Sequence, residues 1–292
     1  VSERFDTFLI VDWSANGVPK TGRDSIWWAR LCSGSAVLQL SNPSTRHEAM
    51  AQLRAVLAEE LSRGARVLLG VDFALGYPRG LAQALGLAGP AWRALWEEWR
   101  RRVRDAQDNA NNRFEVAAAL NAQLTGGEGP FWGRPASRAL PALPTRRSFA
   151  YPVRGLTERR LCELRVRGAQ PVWKVAYAGS VGGQSLCGLP HLLALREDPV
   201  LGPHVRVWPF ETGFAVPDGA PCVVLAEVYP SLVPLPREGA GVKDARQVEA
   251  LARHFAREDA AGRLAASFAR PAGLSDAEAQ AVREEEGWVL GV

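Results

Sequence analysis

Two apolar runs each deliver an aspartate at the same point, and this constrains the fold more than any other feature of the chain. Phe8-Leu9-Ile10-Val11 leads into Asp12, and Val67-Leu68-Leu69-Gly70-Val71 leads into Asp72. Continuous Val, Ile and Leu without polar alternation mark strands buried on both faces, as in the middle of a parallel sheet. An ionised carboxylate at the end of such a strand is costly unless it meets a cation or a hydrogen-bond donor. Two of them suggest a metal site. Each could equally bond the backbone of the turn that follows its strand.

The order around these runs predicts an α/β fold. Strands are expected over 8–15, 25–31 and 36–40, joined by short loops as an antiparallel meander. Met50, Leu53, Leu57 and Leu61 then recur at helical spacing, with Gly64 as the stop. The Asp72 strand follows directly, so a right-handed crossover lays it parallel to the first strand. After Pro78, Trp92, Leu95, Trp96, Trp99 and Val103 form one helical stripe, which reads as core rather than as a base-stacking surface. A second helix reaches about Leu124, and Gly and Pro break any regular element over 125–149. Strand-like segments return at 172–178, 205–212 and 222–234, and helices are expected over 243–259 and from near Ser275. The simplest division is a split core, 1–79 plus 203–292, interrupted by an Arg- and Trp-rich insertion over 80–202.

Charge divides along the same boundary. From Arg79 to Gln170 there are 16 Arg, no Lys and 8 acids, so this segment carries +8 within a chain of net charge +4. A basic module beside acidic strand ends suits a polyanion, although 32 Arg against 3 Lys also fits a general bias with arginines solvating helix faces. At 292 residues and 47% hydrophobic, the chain can bury a large core without staples. Cys32, Cys162, Cys187 and Cys222 are scattered and form no zinc-ligand spacing with His47, His191, His204 and His254. No run approaches the roughly 20 apolar residues of a membrane span, and the N-terminus does not read as a secretion signal. A soluble cytoplasmic protein is expected.

Three antiparallel strands, a helix, a parallel strand with a second aspartate, then a later strand and helix is the order of the RNase H-like fold. The segments VDWSA, GVDFALGYP, GSVGGQSLCGLP, VWPFETG, AEVYPSL and VKDARQ resemble a family of bacterial proteins described as predicted RNase H-like nucleases. The resemblance implies a mixed sheet with flanking helices, with Asp12 and Asp72 at its centre sharing a divalent cation. It further implies metal-dependent hydrolysis of a phosphodiester in a nucleic acid or nucleotide. Carboxylate and water ligands suit Mg²⁺, with Mn²⁺ as a substitute.

Such a site needs further acids. Asp244 shares a helical face with Val248, Leu251 and Phe255, which makes it a candidate ligand; an acid is also favoured in any first helical turn. Glu227 and Glu211 each end a hydrophobic run and could approach the aspartates or pair with an arginine. Glu48 and Asp276 read as helix-start residues, because Thr45 to Glu48 and Ser275 to Glu278 fit capping boxes. Lys174 with Gly179, Ser180, Gly182 and Gly183 could present N–H groups to a phosphate, although tight packing explains the glycines as well. Arg134, Arg146 or Arg147 are expected to face the acidic centre from the insertion. No Gly-x-Ser-x-Gly or Cys–His pattern points to covalent hydrolysis. The competing readings are a non-catalytic binding protein for a phosphorylated ligand and a phosphotransferase on a related core.

Overall fold

In the computed structural model, which describes residues 4–127, 129–235 and 241–292, six strands form one mixed sheet in the order β3-β2-β1-β4-β6-β5. The meander is as expected: β1 (Thr7–Asp12) pairs antiparallel with β2 (Trp27–Cys32), and β2 with β3 (Leu38–Ser41). Helix α1 (Arg46–Ser62) carries the chain across to β4 (Arg66–Val71), which pairs parallel with β1. The Thr45 hydroxyl caps the α1 start by accepting from the Glu48 N–H, and Glu48 takes the Ser44 N–H at 2.7 Å, so Glu48 is a capping residue.

Beyond β4 come α2 (Leu81–Ala84), α3 (Ala91–Arg102), α4 (Arg113–Thr125), α5 (Leu161–Arg165) and α6 (Val181–Arg196). The sheet closes with β5 (Val205–Val207) and β6 (Cys222–Glu227), both parallel to β4. Then follow α7 (Lys243–Ala260), α8 (Leu264–Ser267) and α9 (Asp276–Ala281), which runs into a π-helical turn at Val282–Glu286. Ser275 and Glu278 form the expected capping box, with Asp276 beside it paired to Arg270.

The pleat sends alternate residues of the central strands to opposite cores. Leu9, Val11, Leu69, Val71 and Leu225 join α1, α3, α4 and α6 on one face, while Phe8, Ile10, Leu68 and Val224 join α7 and α9 on the other. Trp92, Trp96 and Trp99 are buried in the first of these, each stabilising the fold by roughly 1.5–3 kcal/mol on an area basis. The segment 80–202 therefore shares its apolar core with a face of the sheet.

The strands expected over 205–212 and 222–234 are shorter, ending at Val207 and Glu227, and two other segments depart further from the sequence reading. Residues 172–178 make no strand, only an isolated bridge from Lys174 to Trp132. Helix α6 was hidden by Gly182, Gly183, Gly188 and Pro190, which are poor helix formers. They are there for packing: a Cβ at Gly188 would lie 2.4 Å from the Phe73 ring, and one at Gly182 2.1 Å from the Val172 carbonyl oxygen. None of the described helices is long and apolar enough to cross a membrane.

Candidate functional site

The register that pairs Val11 with Val71 brings the next residues, Asp12 and Asp72, side by side where the two parallel strands end. The chain must turn here, and the turn holds Asp72 in place. Its N–H donates to the Val11 carbonyl at 3.2 Å, and its Oδ1 accepts the Trp13 N–H at 2.7 Å. Gln184, from the first turn of α6, donates to the Trp13 carbonyl and favours the ionised form of Asp72. From the opposite side, the first turn of α7 brings Asp244, whose Oδ2 accepts the Asp24 N–H at 2.7 Å.

The electrostatics follow from that crowding. Burial, then the charges of Asp72 and Asp244, hold Asp12 well above the ordinary carboxylate value. Burial also pushes Asp72 up, to about 7, with the Trp13 N–H and the Asp12 carboxyl acting against it. The two carboxyls act on one another's ionisation, so they titrate as a coupled pair. Among the described residues, no Lys or Arg pairs with Asp12, Asp72 or Asp244. The charge of Lys243, next to Asp244 on α7, favours ionised Asp12 but is the smallest of the influences on it, and carboxylates crowded together without a paired cation are a donor set that fits a hard divalent ion.

The three acids line a cleft of about 770 Å³ together with Glu227, Glu163 and Arg160. Glu227 stands opposite Val71 on β6, so its position is as expected, but its carboxylate is engaged elsewhere. Arg160 takes both oxygens, at 2.8 and 2.6 Å, and the Leu75 N–H adds a third bond at 3.1 Å. Instead of joining the acids as a free ligand, Glu227 forms a buried ion pair with Arg160, which also holds Glu163. Glu211 is similarly held by Arg196, at 2.9 Å.

The glycine-rich turn differs from a phosphate cradle. The Gly182 N–H donates to Lys174 O and the Gly183 N–H to Ser180 O, so neither is available to a ligand. Lys174 Nζ bonds Ala178 O at 2.6 Å and Gln170 at 3.2 Å, and Lys174 does not line the cleft, whereas Gly179 and Ser180 do. Gly182 and Gly183 allow α6 to start against 172–175, where a Cβ on Gly183 would lie 2.7 Å from the Val175 carbonyl oxygen. Packing, the alternative reading, accounts for these glycines.

The expected arginine wall is also placed differently. Arg134 is spent on the carbonyls of Leu143, Pro135 and Arg138, Arg147 pairs with Glu158, and Arg146 is exposed; none of the three lines the cleft.

Sequence spacing gave no sign of a second cluster. His47, Asp105 and His191 bring ligand-type atoms within 4.8 Å of one another, a group that could hold a metal ion. His191 Nε2 lies 2.8 Å from Asp105 Oδ2, and the His47 and His191 rings meet edge to face at 5.1 Å. Arg46, fully buried, grips the same Asp105 carboxylate and also donates to the carbonyls of Ser14 and Asn16. Arg46 and its hydrogen bonds hold Asp105 well down, to about 2, against burial, with His191 helping. The cluster thereby fixes the loop that follows Asp12.

Comparison with protein-family models, with curated proteins and with solved structures finds no match for the chain.

Proposed function

We propose that the protein is a divalent-metal-dependent hydrolase of phosphoesters, built on an RNase H-like sheet, with Asp12, Asp72 and Asp244 holding Mg²⁺ or Mn²⁺. One observation carries the reading: three carboxylates, from the end of β1, the turn after β4 and the first turn of α7, converge on one cleft, and no cation pairs with them among the described residues. The strand order, with β1 between antiparallel β2 and parallel β4, supports the fold assignment.

Bound between these acids, the ion would supply water activation and charge stabilisation at the leaving oxygen. The chain's own residues do the positioning. The Trp13 N–H orients Asp72, and Gln184 holds Trp13 by its carbonyl, leaving the rest of the Asp72 carboxyl for a ligand. Asp244, anchored on the Asp24 N–H, reaches the cleft from a helix rather than from the sheet. Arg160 engages both Glu227 oxygens and also holds Glu163, so these cleft-lining carboxylates are committed to a cation of the chain.

The test is calorimetric titration with Mn²⁺, followed by assay of single- and double-stranded DNA, RNA, an RNA–DNA hybrid and small nucleotides. Binding lost in Asp12→Asn together with cleavage supports the proposal. Mn²⁺ bound at wild-type strength by Asp12→Asn overturns the metal assignment. Binding without cleavage of any substrate moves the protein to a non-catalytic, ligand-holding role.

A further inference from the structure

After pairing, one cation in the cleft has no carboxylate partner among the described residues. Lys20 and Arg23 both face Asp24, at 3.9 and 3.5 Å, and Arg160 holds Glu163 and Glu227. The remaining cation is Arg113, in the first turn of α4. Its Nη1 donates to Asn111 Oδ1 at 2.8 Å, its guanidinium lies 4.2 Å from the Phe114 ring centroid, and its Nε is buried against Gly183, which leaves Nη2 as the donor open to a ligand. Gly183 matters here, because a Cβ on it would come within 3.4 Å of that Nε. An arginine desolvated, oriented and left without a counter-anion is arranged to receive one from a ligand.

A second feature of the same cleft points to what the anion is attached to. Tyr177 lines it with φ +70°, a backbone conformation that side-chain-bearing L residues rarely adopt, and 56% of the residue is exposed. The ring is not loose. Its hydroxyl donates to the Arg134 carbonyl at 2.7 Å, so the tip is pinned while much of the side chain stays open. A fixed, exposed aromatic is a platform for a flat ring.

We propose that this cleft recognises a nucleoside phosphate, with Arg113 taking the phosphate and Tyr177 stacking on the base. The cleft volume, about 770 Å³, falls in the range of sites that enclose a small molecule and suits one nucleotide unit. The proposal deepens the hydrolase reading and rests on it for its location, since the same cleft places Asp12, Asp72 and Asp244 beside the ligand.

Binding is tested without metal or turnover, so that its failure and failure of the hydrolase reading are distinguishable. Wild type and Asp12→Asn are titrated in EDTA at low salt with adenosine 5′-monophosphate, adenosine and inorganic phosphate. The monophosphate should bind both proteins at least tenfold more tightly than adenosine. Arg113→Met should weaken the monophosphate about tenfold and leave adenosine unchanged, whereas Tyr177→Ala should weaken both nucleoside ligands about fivefold and leave phosphate unchanged. Labelling of Arg113 by phenylglyoxal in wild type, read by mass spectrometry, gives an answer that does not depend on how the variants fold. Saturating monophosphate should reduce the label at least fivefold and adenosine should not. Monophosphate binding that survives Arg113→Met, absence of binding up to 10 mM, or unprotected Arg113 labelling overturns the proposal.

Discussion

The Trp13 N–H donates to Asp72 Oδ1 at 2.7 Å, so the residue that follows one strand-end aspartate holds the other. This couples the two acids through the backbone as well as through charge. Replacing Asp12 by Asn keeps the shape and removes a carboxyl whose ionisation is opposed by burial and by the charges of Asp72 and Asp244. Asp12→Asn is therefore expected to melt at or above the wild-type temperature in EDTA, and to lose most of the stabilisation that Mg²⁺ gives wild type. For wild type, ion at 100 times its dissociation constant corresponds to about 2.7 kcal/mol. Thermal melts of both proteins with and without Mg²⁺ check this, and phosphoester turnover should vanish in the variant.

The pH dependence of stability has a defined sign at Asp72. Its pKa is raised from 3.8 to about 7 in the fold, chiefly by burial, so between pH 4 and 7 the folded protein holds a proton that the unfolded chain has released. More protons bound folded than unfolded means that this contribution falls as pH rises through that window and is gone above it. Melting in EDTA at pH 5 and pH 8 should show a decline in wild type that is smaller in Asp72→Asn. Mg²⁺ should reverse the trend, stabilising the protein at pH 8 and not at pH 5, where protons compete for the ligands.

Glu227→Gln separates an ion-pair role from a catalytic one. The Arg160–Glu227 pair is buried, at 1% and 4% exposure, and removing one partner of a buried pair costs about 3–5 kcal/mol. Glu163 still holds Arg160, which places the expected loss near the low end, about 3 kcal/mol. Urea denaturation measures it. Below its melting point the variant should bind Mg²⁺ as wild type does, because the Glu227 oxygens are already engaged by Arg160 and Leu75.

What the sequence made legible is what local pattern controls. Continuous apolar runs placed Asp12 and Asp72 on adjacent buried strands, and helical spacing placed Asp244 on the face of α7 that reaches the site. The position of Glu227 was legible from its strand; its partner was not, since Arg160 lies 67 residues away on a different element. The same limit hid the contact of His191 with Asp105, separated by 86 residues. Helix α6 was illegible for another reason: its glycines are placed for close approach to 172–175 and to Phe73, and tertiary packing overrides their low helix propensity. Arg113 is one of 32 arginines, and nothing in its local sequence says that it lacks a carboxylate partner.

Asp105 gives the opposite pH sign to Asp72, and its variant tests which cluster the catalytic-type ion uses. Arg46 and His191 hold its pKa down to about 2 in the fold, so its contribution is present above pH 4 and is lost as pH falls towards 2. Asp105→Asn leaves Arg46, at 0% exposure, facing a neutral amide, and should cost about 3 kcal/mol while flattening the acid side of the stability profile. His191→Ala removes a ligand-type atom of the His47–Asp105–His191 group and leaves the strand ends untouched. Mg²⁺ stabilisation should therefore survive His191→Ala and disappear in Asp12→Asn, since carboxylates and not imidazoles suit this ion. The reverse pattern in parallel melts would transfer the metal from the strand ends to the histidine cluster.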